Sequence, residues 1–388
     1  MRIWCSLVLV GALYACDGTS QPGPAPGPGP GDQHPELLKT FDVAPGTCGV
    51  SRRVALLKTD LEIDRIDRSP VGFVASGLKG ENREPGWLSL SLDGLSQRAS
   101  LSGWTAGGAF MLARFPFAES LQQLHPVLLT TLGPASSTRL HAWPLDNPGT
   151  QLDVGDHFLR GTTRMAVASA RDGKTGVFVA QHPATFAPHV LPVDRHGGQA
   201  SGQFALADGT VTCLLAAPGE TSFAVGVLYS APVPLLKVVA PGYDSGSASL
   251  ALTRSTASCP LLQFDDKLLV VAAVDDAAQV FAFTSGALVP LLTHPPRLAD
   301  LGGQTPFWIT RGTDGGWVFL VHKEGKSRLT SVSSDGAVVK WISADLPWGD
   351  VIVGAPRELF MHVDEPDQTG AYSHSIVQVT CNGTGFSQ

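Results

Sequence analysis

PFWITRGTDGGWVFLVHKEGKSRLTSVSSDGAVVKWI, residues Pro306–Ile342, is the stretch whose reading decides the fold. It divides into four short strands, Pro306–Thr310, Trp317–His322, Arg328–Val332 and Ala337–Ile342, each rich in β-branched or aromatic residues. The connections between them, Arg311–Gly316, Lys323–Lys326 and Ser333–Gly336, carry the Gly and Asp that tight turns need. A meander of this size cannot bury its own apolar faces, so it predicts stacking on further copies of itself.

Copies are present. A strand running into a polar turn recurs at Trp87–Gly94, Arg139–Asn147, His189–Gly197, Phe223–Ala231, Gln279–Gly286, Arg328–Gly336 and Ile376–Gly383. The turns lie 36 to 55 residues apart with a mean near 48, the length of a four-stranded propeller blade. The third and fourth copies are the shortest interval, so either a strand is lost there or the phase is miscounted. Val233–Lys237 (VPLLK) and Val289–Thr293 (VPLLT) follow the turn in two successive copies and are expected as outer strands, where Pro is tolerated. The last copy has no such strand after Gly383, and Val54–Lys58 (VALLK) near the N-terminus has the same look.

On these features the segment 39–388 resembles a seven-bladed β-propeller whose N-terminal strand completes the last blade. Six or eight blades, an eight-stranded barrel and a pair of β-sandwiches are the alternatives. The Trp-Asp strand ending of WD40 repeats is absent, and the double glycines lack the kelch spacing to later Tyr and Trp. Only Ala118–Leu132 hints at a helical period, and Pro126 interrupts it.

The composition agrees with this reading. Charged residues are 16% of the 388, while 43 Gly and 29 Pro favour short strands and many turns. The net charge is −7, and no basic cluster exceeds Arg52-Arg53, so nucleic acid is not expected as a partner.

At the N-terminus, Met1-Arg2 precedes the apolar run Ile3–Ala15, the pattern of a secretory signal and too short to span a bilayer. Leu13-Tyr14-Ala15-Cys16 resembles the lipobox of bacterial lipoproteins, with Tyr14 bulkier than that pattern usually has. The resemblance implies cleavage after residue 15, a lipidated Cys16 and anchorage in the bacterial envelope, at the outer membrane or cell surface rather than the inner membrane, with plain secretion as the alternative. Asp17 is similar to an inner-membrane retention residue of enterobacterial lipoproteins, a rule that does not transfer to all bacteria. Residues 16–38 hold the tract Gln21–Gly31 (QPGPAPGPGPG), which cannot pack a core and reads as an extended tether.

With Cys5 removed and Cys16 acylated, Cys48, Cys213, Cys259 and Cys381 remain, an even number in an exported chain. The propeller resemblance selects Cys48–Cys381, because the N-terminal strand would lie beside the last strand of the final copy. Cys213 and Cys259 then pair by default.

Few residues point to chemistry. The eleven histidines are scattered singly, without His-x-x-x-His or His-Glu-x-x-His, and no two Cys sit at zinc spacing. His322 and His362 hold equivalent second strands of adjacent copies and read as structural, with a shared metal site conceivable. Asp364, Glu365 and Asp367 are the densest acidic group and a weak Ca²⁺ candidate, although a solvated hairpin loop describes Asp364–Gly370 better. Asp244–Ser247 (DSGS) is similar to a serine nucleophile loop but has neither an elbow motif nor a His partner. Trp104, Trp143, Trp308, Trp317, Trp341 and Trp348 are expected between blades rather than on a glycan-binding face. No cofactor is expected. The reading is a monomeric, tethered, non-catalytic binding or scaffold module for an envelope protein or glycan, touching the membrane only through its lipid. The alternative is a glycan-active lyase or hydrolase with its site at the central channel mouth.

Overall fold

The structure is a computed structural model. It describes residues 36–56, the strands between 61 and 264 together with residue 252, residues 267–284, 286–352, 359–366 and 372–383, and residue 386. Residues 1–35, which hold the expected signal (1–15) and most of the expected linker (16–38), lie outside the described residues, as do Ser245 and Trp104; the last three linker positions, 36–38, are in the first strand. Among the described residues there is no α-helix, and none is long and apolar enough to cross a membrane.

The chain begins with β1 (Glu36–Thr40) and β2 (Cys48–Leu56). Five groups of four strands follow. They are β3–β6 (Leu61–Ser69, Gly72–Lys79, Glu84–Ser91, Ser96–Ser100), β7–β10 (Phe110–Phe115, His125–Leu132, Arg139–Pro144, Leu152–Asp153), β11–β14 (Thr162–Ser169, Thr175–Pro183, His189–Asp194, Phe204–Ala205), β15–β18 (Thr210–Ala216, Phe223–Tyr229, Leu235–Ala240, Gly246–Ala251) and β19–β22 (Leu261–Phe264, Lys267–Val274, Ala277–Thr284, Ala287–Pro290). The opening stretch of the sequence forms β23–β26 (Trp308–Arg311, Trp317–Lys323, Lys326–Val332, Val339–Ile342), with the short β27 (Leu346–Pro347) also paired to β25. Last come β28 (Asp350–Ile352), β29 (Leu359–Pro366) and β30 (Tyr372–Cys381).

Among the described residues these strands pair into seven antiparallel sheets, six of them built from strands consecutive in sequence. The other joins both ends of the chain in the order β1-β2-β30-β29-β28. First strands of successive sheets lie side by side, with β3 next to both β28 and β7, β7 next to β11, β11 next to β15, and β15 next to β19. Small meander sheets packed face to face with their first strands innermost make a β-propeller.

The sequence explains the local geometry. Asp275 and Asp276 turn β20 into β21 with φ of +48° and +59°, and Glu324 and Gly325 turn β24 into β25 with φ of +50° and +72°. Positive φ at both central residues is what a two-residue hairpin loop requires, and Asp, Asn and Gly tolerate it best. Between the sheets, apolar side chains interlock. Val271, Val280, Trp317, Phe319 and Val321 fill the layer between β19–β22 and β23–β26. Val318, Leu320, Met361, Val363 and Val377 fill the next, and Val54, Ile66, Phe73, Phe360 and Ile376 join the chain-end sheet to β3–β6. Among the described residues Trp317 is the largest fully buried side chain, with Arg311 stacked on its ring. Trp308 and Trp341 are partly buried against the neighbouring layer, whereas Trp348 is exposed.

Three sequence expectations need correction. Phe223–Ala231 is not equivalent to the other copies of the strand-and-turn unit: β16 is the second strand of its sheet and β17 the third, whereas β5, β9, β13, β21 and β25 are third strands. The short repeat interval is thus a miscount by one strand, and that sheet has lost none. The two VPLL segments are accordingly not equivalent, since Leu235 opens a third strand and Pro290 closes a fourth. The period hinted at over Ala118–Leu132 yields strand β8 from His125 onward.

Candidate functional site

The chain-end sheet holds the densest group of functional side chains among the described residues. In a strand, residues two apart share a face, so His362 and Asp364 on β29 point the same way. The β29–β30 register places His374 directly opposite Asp364, and Asp350 on β28 directly opposite His362. Cross-strand partners also share a face. Four polar groups therefore line one side of the sheet, which further along carries Phe360 and Ile376 into the layer facing β3–β6.

Three of the four meet. His362 Nε2 lies 2.9 Å and His374 Nδ1 2.5 Å from the same atom, Asp364 Oδ1, and the two nitrogens are 3.1 Å apart. The rings are near-parallel at 5.3 Å between centroids. Burial grades across the group: side-chain exposure is 7% for His362, 15% for His374 and 46% for Asp364. Burial holds the His362 imidazole below its ordinary pKa, partly offset by the Asp364 carboxylate. Gly349 packs against the backbone of His362, where a Cβ would overlap the His362 carbonyl oxygen.

The acidic run, a weak Ca²⁺ candidate read as a solvated hairpin loop, is divided by the strand, which continues to Pro366. Asp364 faces the two histidines, while Glu365 points to the opposite face and pairs with Arg53. Asp367 lies outside the described residues. His322 and His362 are not brought together. His322 on β24 is sandwiched between Phe307 and Trp348, with centroids 3.9 and 3.8 Å away, and its Nδ1 is 3.0 Å from Ser327 Oγ. Burial pushes its pKa down to about 4.

On the same sheet, β2 pairs with β30 from Cys48↔Cys381 to Leu56↔His374, and Cys48 and Cys381 are joined by a disulfide. This is the pair the N-terminal strand argument selects. Cys213 lies on β15, and Cys259 lies outside the described residues. Sequence reading missed His374. The available signal was the register of the two strands: pairing Pro366 with Tyr372 sets Asp364 against His374, provided β29 runs on through the acidic run.

No protein-family model matches the sequence, and no curated protein matches it. Solved structures of similar shape include the β-propeller domain of the Trilobed protease from Pyrococcus furiosus (8% identity, 82% of this chain and 96% of that one, TM-score 0.49). TolB from Acinetobacter baumannii is another (12% identity, 86% of this chain and 65% of that one, TM-score 0.36). A prolyl endopeptidase is matched over 83% of this chain but only 51% of its own length (11% identity, TM-score 0.48). The β-propeller assignment rests on the sheet order described above.

Proposed function

We propose that the chain is an exported, lipid-anchored binding or scaffold module of the bacterial envelope. In this reading its seven sheets form one ring of blades, sealed where β2 joins β30, and its loop faces engage an envelope protein or glycan without catalysis. The observation that carries it is the Cys48–Cys381 disulfide, a bond that persists in oxidising compartments outside the cytosol. Ring closure is supported by packing, because the chain-end sheet shares one apolar layer with β23–β26 and another with β3–β6. A sealed ring leaves no long sheet edge and suits a rigid binding platform.

Metabolic labelling with an alkyne fatty acid tests the anchor. Label on the wild type that disappears in Cys16→Ser, with that variant leaving the membrane fraction, is expected. Cys16→Ser retained at the membrane, or an unlabelled wild type, refutes it. Covalent labelling of Ser245 by a serine-reactive probe would refute the non-catalytic half.

One observation favours an enzyme instead. His362, Asp364 and His374 supply proton donors and acceptors within 3.1 Å of one another. They stand on the second and third strands rather than on the innermost β28, so a glycan-active site built on them would lie between blades and not at the channel mouth.

A further inference from the structure

We propose that His362, Asp364 and His374 are the protein ligands of a divalent transition-metal site of the zinc class, with an open coordination position on the solvent side of Asp364. The inference rests on these three side chains alone and holds whether the protein binds or catalyses.

The first argument is distance. Zinc takes imidazole nitrogen and carboxylate oxygen at about 2.0–2.1 Å in tetrahedral geometry, which puts neighbouring donors about 3.3 Å apart. The three donors here are separated by 2.5, 2.9 and 3.1 Å, so outward movements of less than an ångström frame one ion. The second argument is lone pairs. If both nitrogens carry hydrogen, two N–H groups crowd against each other on one carboxylate oxygen. If one is bare, it can accept from the other ring's N–H, but its lone pair still faces a lone pair of Asp364 Oδ1. A cation at the centre of the triangle satisfies all three at once.

Ligand chemistry and burial set the class of metal and the kind of site. Two imidazoles disfavour Ca²⁺ and Mg²⁺, which prefer all-oxygen shells, and favour zinc or its later first-row neighbours. Three protein ligands are one short of the closed structural shell of zinc, and match the catalytic or ligand-binding kind with an exchangeable position. That position is set by exposure: the histidines back onto the sheet, while Asp364 is 46% exposed. A metal there would take an anionic or neutral oxygen donor, such as water or the carboxylate of an incoming ligand.

The positions are built to hold such a group. All three project from paired strands rather than loops. β30 is also tied to β2 by the disulfide seven residues from His374.

Equilibrium dialysis of the full mature chain against Zn²⁺, under non-reducing conditions with free thiols alkylated, tests the proposal. Co²⁺ titration followed by visible absorption gives a second readout. The expected result is one tightly held Zn²⁺ per chain, and intense Co²⁺ d–d bands that indicate tetrahedral nitrogen and oxygen ligation. Asp364→Ala and His374→Gln sit at the more exposed positions, and with β-sheet circular dichroism retained each should weaken binding by at least ~100-fold. No stoichiometric binding to the folded wild type overturns the site. So does Zn²⁺ binding that survives in the Asp364→Ala/His374→Gln double variant, which would place the metal on other histidines or on residual thiols.

Discussion

Removing the Cys48–Cys381 bond tests the seam more sharply than any other perturbation. The disulfide spans 333 positions, and the loop-entropy account gives about 6 kcal/mol for closing a loop of that length in the unfolded chain. Measured effects fall short of that limit, typically ~2–4 kcal/mol, because unfolded chains keep structure and native bonds carry strain. Cys48 is buried and Cys381 packs against the same apolar cluster, so Ser would add the cost of a buried hydroxyl. The suitable variant is therefore Cys48→Ala/Cys381→Ala, with an expected loss of about 3–5 kcal/mol in guanidinium unfolding followed by tryptophan fluorescence.

The location of the loss matters as much as its size. β2 pairs with β30 over Cys48–Leu56 and packs Val54 into the layer facing β3–β6, but no covalent bond other than the disulfide joins it to β30. Without that bond, β2 can peel away as a sub-global opening before the sheets themselves melt. Hydrogen exchange should then show amides of residues 50–56 losing protection well ahead of those in β24 and β25, whereas the oxidised protein exchanges both together. A double variant within ~0.5 kcal/mol of wild type, with β2 protected as before, would refute the reasoning and show the non-covalent pairing to be sufficient.

Further outcomes follow from single side chains. Gly349→Ala drives a methyl group into the carbonyl of His362, and is expected to cost about 1–3 kcal/mol in urea unfolding; a loss below ~0.5 kcal/mol would mean that β28 shifts freely. Gln279 is buried and zips Leu292 through both its amide groups, with Nε2 donating to the Leu292 carbonyl at 2.9 Å and Oε1 accepting from the Leu292 N–H at 3.2 Å. Gln279→Ala strands both Leu292 groups and should cost about 2–4 kcal/mol by the same assay, and a neutral result would mean that water replaces the amide. His322 has a folded pKa of about 4, below its unfolded value, so its contribution is complete above pH 6.5 and drains away as pH falls from 6.5 to 4. Discounted for partial exposure, about 1–2 kcal/mol should go, and His322→Phe should flatten that part of the stability–pH curve; an unchanged slope would refute the assignment.

What was legible in the sequence, and what was not, follows from where each signal resides. The meander at Pro306–Ile342 was readable because turn chemistry and strand composition agree at every boundary: Glu324-Gly325 must turn, and Trp317–His322 must be buried. Its strands emerge within two residues of their expected bounds. The second-strand position of Phe223 was not readable, because β16 and β17 are both apolar runs ending in polar turns, and composition alone does not number strands within a sheet. The site failed for a different reason. Asp364-Glu365-Pro366-Asp367 looks like a loop by composition, yet β29 continues through Pro366, and that continuation alone puts Asp364 opposite His374. Once the strand is extended, alternation sends Asp364 to the histidines and Glu365 to Arg53, so one acidic run becomes two separate interactions on opposite faces. A metal motif spread over a hairpin is thus a statement about register, and register is held by the strand ends, where sequence signals are weakest.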